Sequence, residues 1–456
     1  MVVRKAWLPG VGTFSVGHSS HPFNPTEGEI TLAKKPPREI SIAEKEDIID
    51  RETATKDNDT LVQFLNIASL ANTATVRRAE GDDDVWHARG DPTEIAIQVF
   101  ASRFNWNRLN ISGEGNQWKQ VAEFPFDSDV KKMSVIFKDT TSKQQWVFTK
   151  GAVERIIDSC PTIRVGDENL PMTEEIKAGI LENLEALARL GLRVLALASR
   201  TGIRKVDSKE ELDRSEFEHD LIFRGLVGIY DPPRPESAQS VKMCHQAGIG
   251  VHMLTGDHPE TARAIAKEVG ILPSRMQEIS ADVAKAMVMT AREFDRLTDD
   301  EIDKLPLLPL VVARCAPSTK VRMIKALHRR KRFAAMTGDG VNDSPSLKQS
   351  DVGIAMGQAG SDVAKEASDI VLMDDNFASI LNAVEEGRRM FDNIQKFVLH
   401  VLAQNIAQAC TLLIALAFKD HTRLSIFPLS PVEIMWVVSL SCSEPKLGLF
   451  FQLCSR

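Results

Sequence analysis

From residue 221 to residue 372 short apolar runs alternate with amphipathic helices, and this alternation restricts the fold more than any other feature of the chain. The runs LIFRGLVGIY, GIGVHML, LPLVVAR and RFAAM each lead into a helical stretch, opened near Pro235, Pro259, Pro317 and Pro345. VGIAM and DIVLM complete the set. Parallel strands need a crossover, usually a helix, so the pattern predicts a doubly wound parallel sheet. Ligands in such folds bind beyond the carboxyl ends of the strands.

Those strand ends carry the polar residues. VHMLTGDHPETA closes a strand with Thr255, Gly256 and Asp257 and opens a helix. Glycine lets the backbone approach a phosphate, and a helix N-terminus supplies amide donors. VARCAPSTK places Arg314 and Lys320 in the next unit, where a lysine can neutralise a phosphoryl group. MTGDGVNDSP brings two carboxylates, Asp339 and Asp343, with Asn342 between them. Magnesium takes one or two carboxylates plus substrate phosphate and water. Each piece alone is ordinary turn chemistry. Three in order, each at a strand-to-helix junction, point to a phosphate site.

The first half has another texture. From Thr60, the residues Leu61, Phe64, Leu65, Ile67 and Leu70 recur at helical spacing, and Pro92 opens a second helix in DPTEIAIQVFASRF. VAEFPF, KKMSVIFK and QWVFTKG read as antiparallel strands. A longer helix follows in MTEEIKAGILENLEALARLG, capped by Thr173 and ended by Gly191, and LRVLALASR is a further strand. This is a mixed α+β domain.

After about residue 382 the chain changes again. Residues 397–418 are mostly apolar and long enough to span a bilayer; 426–453 is a second candidate span, interrupted by Pro431, Glu433, Glu444 and Pro445. Arg388, Arg389 and Lys396 favour a cytoplasmic start for the first. A net charge of −7 argues against a nucleic-acid partner. The six cysteines show no C-x-x-C spacing, so neither a zinc site nor a disulfide framework is indicated. The N-terminal stretch MVVRKAWLPGVGTF has no continuous apolar core and is no signal peptide.

The ordered set KGAVERI, DPPRPES, MLTGDHPETA and MTGDGVNDSPSLKQSDVGIAMG resembles the P-type cation-transporting ATPases. GDPTE, LSPVEI and FVLHVLAQNIAQAC are most similar to the fungal sodium- or potassium-extruding pumps. The resemblance implies a nucleotide-binding domain over 1–222, a haloacid-dehalogenase-type phosphorylation domain over 223–385, and a stalk with two transmembrane helices over 386–456. It implies that Glu94 and Phe126 meet the adenine, with Phe126 stacked on it. Lys131, Lys150 and Gly151 would line the nucleotide pocket, and Arg193 would reach the phosphates. Thr255 and Gly256 would hold phosphoryl oxygens, Asp257 would place the nucleotide, Lys320 would neutralise phosphate and Asn342 would hydrogen-bond it. Asp339 would ligate magnesium with support from Asp343, and Asp231 and Arg234 would form the hinge. Ser128 stands where relatives often carry a basic residue.

The family transfers the ATP γ-phosphoryl to an aspartate in an Asp-Lys-Thr-Gly-Thr segment, and this sequence contains none. Asp139 in FKDTTS is the nearest imitation and lacks the lysine and glycine. The expectation is a piece of a pump whose acceptor strand would precede Met1, leaving its two neighbours in the sheet with open edges. In the membrane part Asn405, Gln408 and Ser441 are candidate ligands for a transported ion. Similar calcium pumps carry acidic residues at the positions of Gln408 and Cys442, so a monovalent cation, Na+ or K+, fits better. The expected activity is ATP hydrolysis coupled to cation transport across a lipid bilayer, at the plasma membrane, with Mg2+ and ATP. The alternatives are a membrane-tethered ATP-binding module without catalysis and, more remotely, a soluble phosphatase.

Overall fold

The computed structural model describes residues 1–417 apart from 18, 20, 41–46, 57, 79–85, 114, 128, 204, 205, 207–211, 274–282, 284 and 285. Ser128, Ser441, Cys442 and the candidate span at 426–453 therefore lie outside the described residues. The chain divides into two compact units, Met1–Val371 and Leu372–Arg456.

The first unit is built on an 11-stranded sheet. Its strands are β1 (Val2–Leu8), β2 (Gly12–Val16), β3 (Ile30–Ala33), β4 (Asp47–Ile48), β7 (Trp118–Asp127), β8 (Lys132–Asp139), β9 (Gln145–Gly151), β10 (Thr162–Val165), β11 (Glu168–Pro171), β12 (Leu192–Thr201) and β13 (Ile222–Tyr230). A separate hairpin joins β5 (Thr75–Arg78) to β6 (Trp86–Arg89). The main order is β4-β3-β2-β1-β13-β12-β9-β8-β7, with β10 added parallel to β13. One apolar layer holds Phe14, Phe64, Phe100 and Phe148 with the helices Asp59–Leu70 and Pro92–Ser102. Another holds Ile156, Leu187, Phe217 and Phe223 with the helices Val153–Ile157 and Glu174–Arg189. Each fully buried phenylalanine contributes about 1.5–3 kcal/mol of transfer free energy.

The local signals operate as expected. The Thr173 hydroxyl accepts from the Ile176 amide, and the Asp91 carboxylate accepts from Thr93 and Glu94 beside Pro92. Both satisfy amides that a helix start leaves unpaired.

One strand differs. LIFRGLVGIY, read as the first strand of the parallel sheet, is β13 and runs antiparallel between β1 and β12. Its inner residues are buried without alternation, the mark of a central strand of either kind. The chain leaves this sheet only after Tyr230, so the division expected at 222/223 cuts across the start of a strand that belongs with the preceding ones. Asp231 and Arg234 lie in the connection that follows.

Beyond it the parallel strands form two small sheets. β14 (Met253–Leu254), β16 (Val311–Ala313) and β15 (Val288–Thr290) make one, in the order β14-β16-β15, all parallel. β17 (Ala335–Gly338), β18 (Val352–Met356) and β19 (Ile370–Leu372) make the other, with β17 parallel to β18. A single doubly wound sheet is not formed among the described residues. β14 keeps two residues of the expected run GIGVHML and, among the described residues, pairs only with β16. A strand hydrogen-bonded on one side loses half its ladder, which accounts for its shortness.

In the second unit the one helix among the described residues is Phe377–Ala417. No helix among the described residues is long and apolar enough to cross a membrane. The expected first span falls within this helix up to Ala417, where His400, Gln404, Asn405 and Gln408 interrupt its apolar residues. Asn405 and Gln408 are both exposed on it, three residues apart.

Candidate functional site

The nucleotide-pocket candidates gather around β7, β8 and β9. Lys150, on β9, donates to a Glu94 oxygen at 2.7 Å, and both side chains are nearly buried, 8% and 12% exposed. Glu94 also accepts from the Thr73 amide at 3.0 Å and from the Thr73 hydroxyl. Burial pushes the Glu94 carboxyl up, yet Lys150 and Thr73 together outweigh it, and its pKa lies below the ordinary value. Burial dominates at Lys150 and lowers its pKa in spite of Glu94. Glu94, expected to meet the adenine, is thus committed to Lys150 and Thr73.

Phe126, near the end of β7, is 64% exposed. An aromatic face left open to solvent suits a base. Lys131 is exposed, with left-handed backbone at φ +58, and its carbonyl accepts from Ala152 at 3.0 Å. Gly151 makes this possible: a Cβ there would stand 2.4 Å from the Lys131 carbonyl oxygen. Gly151→Ala is expected to cost about 1–3 kcal/mol and to loosen the pocket, seen as a lowered denaturant midpoint with an unchanged slope.

The phosphate candidates sit at the ends of β14, β16 and β17. The Thr255 hydroxyl accepts from the Asp257 amide at 3.1 Å and lies 3.2 Å from an Asp257 oxygen. Gly256 is exposed, with open space where a Cβ would be. Lys320, on the helix Pro317–Arg329, donates to Asp343 at 2.5 Å, and the two side chains are 16% and 10% exposed. Asp343 closes the turn after β17 and also accepts from the Gly340 amide at 3.4 Å. A Cβ on Gly338 would lie 2.5 Å from that of Asp343, so only glycine lets the turn fold this tightly. Asp339 and Asn342 are exposed at the same turn. The Asp339 carboxylate has no partner among the described residues. One uncommitted carboxylate, with a second held by Lys320 four residues on, is compatible with magnesium, which takes one or two carboxylates plus phosphate and water.

The two groups of candidates are linked. Arg193 lies 3.7 Å from Asp257, and Arg314 donates to Glu154 at 2.5 Å. The Thr261 hydroxyl donates to the Leu192 carbonyl at 2.9 Å, and Tyr230 donates to Glu268 at 2.8 Å. Sequence reasoning missed Thr73 and Glu154. Glu154 stands within the quoted KGAVERI, three residues beyond Gly151, but nothing in the sequence signals its partner.

Two family profiles match the chain over overlapping stretches. The profile of the P-type ATPase cytoplasmic domain N matches residues 60–236, and that of the haloacid dehalogenase-like hydrolases matches residues 171–351. The chain is 48% identical to sodium/potassium exporting P-type ATPase 2 of Saccharomyces cerevisiae, over 98% of this chain and 45% of that protein. It is 49% identical to a sodium/potassium exporting P-type ATPase of Schizosaccharomyces pombe, over 99% of this chain and 42% of the other. It is 42% identical to calcium-transporting ATPase 1 of Bacillus cereus, over 79% of this chain and 38% of that relative. The chain thus spans less than half the length of the curated relatives it matches. With a domain N profile, a haloacid dehalogenase-like profile and relatives of this identity along nearly all its length, the chain belongs to the P-type ATPase family.

Proposed function

We propose that this chain is the ATP-binding and phosphate-handling part of a pump that couples ATP hydrolysis to the transport of a monovalent cation, Na+ or K+, across a membrane. The observation that carries the reading is the linkage of Arg193 with Asp257 and of Arg314 with Glu154, which brings a nucleotide pocket and a phosphate site together. Phe126 stacks on the adenine, while Lys131, Lys150 and Arg193 take negative charge. Thr255 and the Gly256 amide hold phosphoryl oxygens, and Lys320 and Asn342 neutralise and orient them. Asp339, supported by Asp343, would hold Mg2+, which when bound offsets charge on the transferred phosphoryl group. The accepting carboxylate is the family's aspartate, and among the described residues β14 and β17 each have one side without a strand partner, at which a further strand can pair. The sodium/potassium exporting relatives, and the amide Gln408 where similar calcium pumps carry an acidic residue, support a monovalent cargo. The helix Phe377–Ala417 is read as the start of the membrane part, at the plasma membrane.

Displacement of a fluorescent trinitrophenyl-ATP from the full chain tests the pocket. Phe126→Ala is expected to weaken ATP and adenosine alike, by about 5- to 150-fold, because base stacking on an aromatic ring is worth about 1–3 kcal/mol. Unchanged adenosine affinity would place the base elsewhere.

A further inference from the structure

Four basic side chains lie along the proposed nucleotide path, and each meets a carboxylate. Lys150 meets Glu94, Arg193 meets Asp257, Lys320 meets Asp343, and Arg314 meets Glu154. Three of those carboxylates already have places in the site. Glu154 has none. It is 44% exposed, so burial does not force it to find a partner.

Arg314 is the unusual member of its pair. Its backbone is left-handed at φ +58, a conformation that costs a non-glycine residue free energy. The Arg314 amide donates to the Asp257 carbonyl at 3.1 Å, which anchors the strained residue to the phosphate loop. Its guanidinium then reaches the helix Val153–Ile157, just beyond Lys150 and Gly151. His258 caps the helix Pro259–Glu268 nearby. Burial, and then the Arg314 charge, lower its imidazole pKa, while Glu154 opposes the shift. A neutral His258 adds no third charge to the pair.

A guanidinium presents the same fork to a carboxylate and to a phosphate. We propose that Glu154 is a displaceable counter-anion for Arg314: it occupies the guanidinium in the empty site and gives it up to the phosphates of the incoming nucleotide. This rests on the reading that ATP binds here. Glu154 is then a positioning residue that tunes affinity for the phosphate chain and leaves base recognition alone. Apparent affinity falls by the fraction of sites whose Arg314 is uncommitted, so releasing Arg314 must raise it.

The test is competition of ATP, ADP and adenosine against trinitrophenyl-ATP on the full chain at low salt. Glu154→Gln is expected to tighten ATP and ADP about three- to fivefold, the range of an exposed ion pair, and to leave adenosine unchanged. Glu154→Asp should restore the original ratio of ATP to adenosine affinity. In an Arg314→Met background Glu154→Gln should have no effect. A shift shared by ATP and adenosine, or an effect that persists without Arg314, would overturn the proposal while leaving the nucleotide site standing. No displacement of the probe by any nucleotide from the unaltered chain would overturn the nucleotide reading and this proposal with it.

Discussion

Lys150→Met is expected to destabilise the first unit by about 3 kcal/mol and to abolish detectable ATP binding. The first effect arises because Glu94 stays behind. Its carboxylate is nearly buried and would keep only the two Thr73 bonds. Removing one member of a buried ion pair costs about 3–5 kcal/mol, and the Thr73 bonds place this case at the lower end. Adding Glu94→Gln removes the stranded charge and keeps an acceptor for Thr73, so the double variant should regain most of the stability. It should not regain ATP binding, since the cation is still missing. The pH dependence checks the cause. In the unaltered chain the Glu94 pKa is lowered, so its contribution is present above the unfolded carboxyl value and is lost as pH falls below it. In Lys150→Met the Lys150 charge and hydrogen bond are gone and only the Thr73 bonds oppose burial, so the Glu94 pKa rises relative to the unaltered chain and the variant's deficit should shrink as the medium is acidified toward pH 5. A deficit independent of pH, or binding recovered in the double variant, would show that Lys150 serves packing alone.

That pair also marks the limit of sequence reading. The helix starts at Pro92 and Thr173 were legible because a helix start is decided within three residues. Phe126 came only from the family resemblance, whereas Thr255, Lys320 and Asp343 were legible as polar residues at strand ends. The partnerships were not. Glu94 and Lys150 are 56 residues apart and Glu154 and Arg314 are 160 apart, and only the tertiary fold joins them. β13 was placed in the wrong sheet because a central strand buried on both faces reads alike whether its neighbours run parallel or antiparallel. β15 escaped notice because three residues show no period. The splitting of the parallel strands into two sheets depends on pairing across the fold, which the order of elements along the chain does not record.

Lys320→Met should act differently from Lys150→Met, although both break a buried pair. Lys320 sits on the helix after β16 and Asp343 on the turn after β17, so their 2.5 Å contact joins the two small parallel sheets. The remaining Gly340 bond is long, at 3.4 Å, and compensates Asp343 poorly. A loss of about 3 kcal/mol is expected, confined to the part after Tyr230, and Asp343→Asn in the same chain should offset much of it. Hydrogen exchange should show lower protection in β17 and the helix Pro317–Arg329, with β8, β9 and β12 unchanged. Adenosine affinity should hold, because the pocket around Phe126 is untouched. In a pump that contains the acceptor aspartate, phosphoryl transfer should fall by about 10²–10³, the usual cost of removing one preorganised charge from a transition state. Loss of adenosine binding together with stability would mean that the two sites unfold as one. Full phosphoryl transfer in the variant would remove Lys320 from the phosphate site and leave it only the role of pinning Asp343.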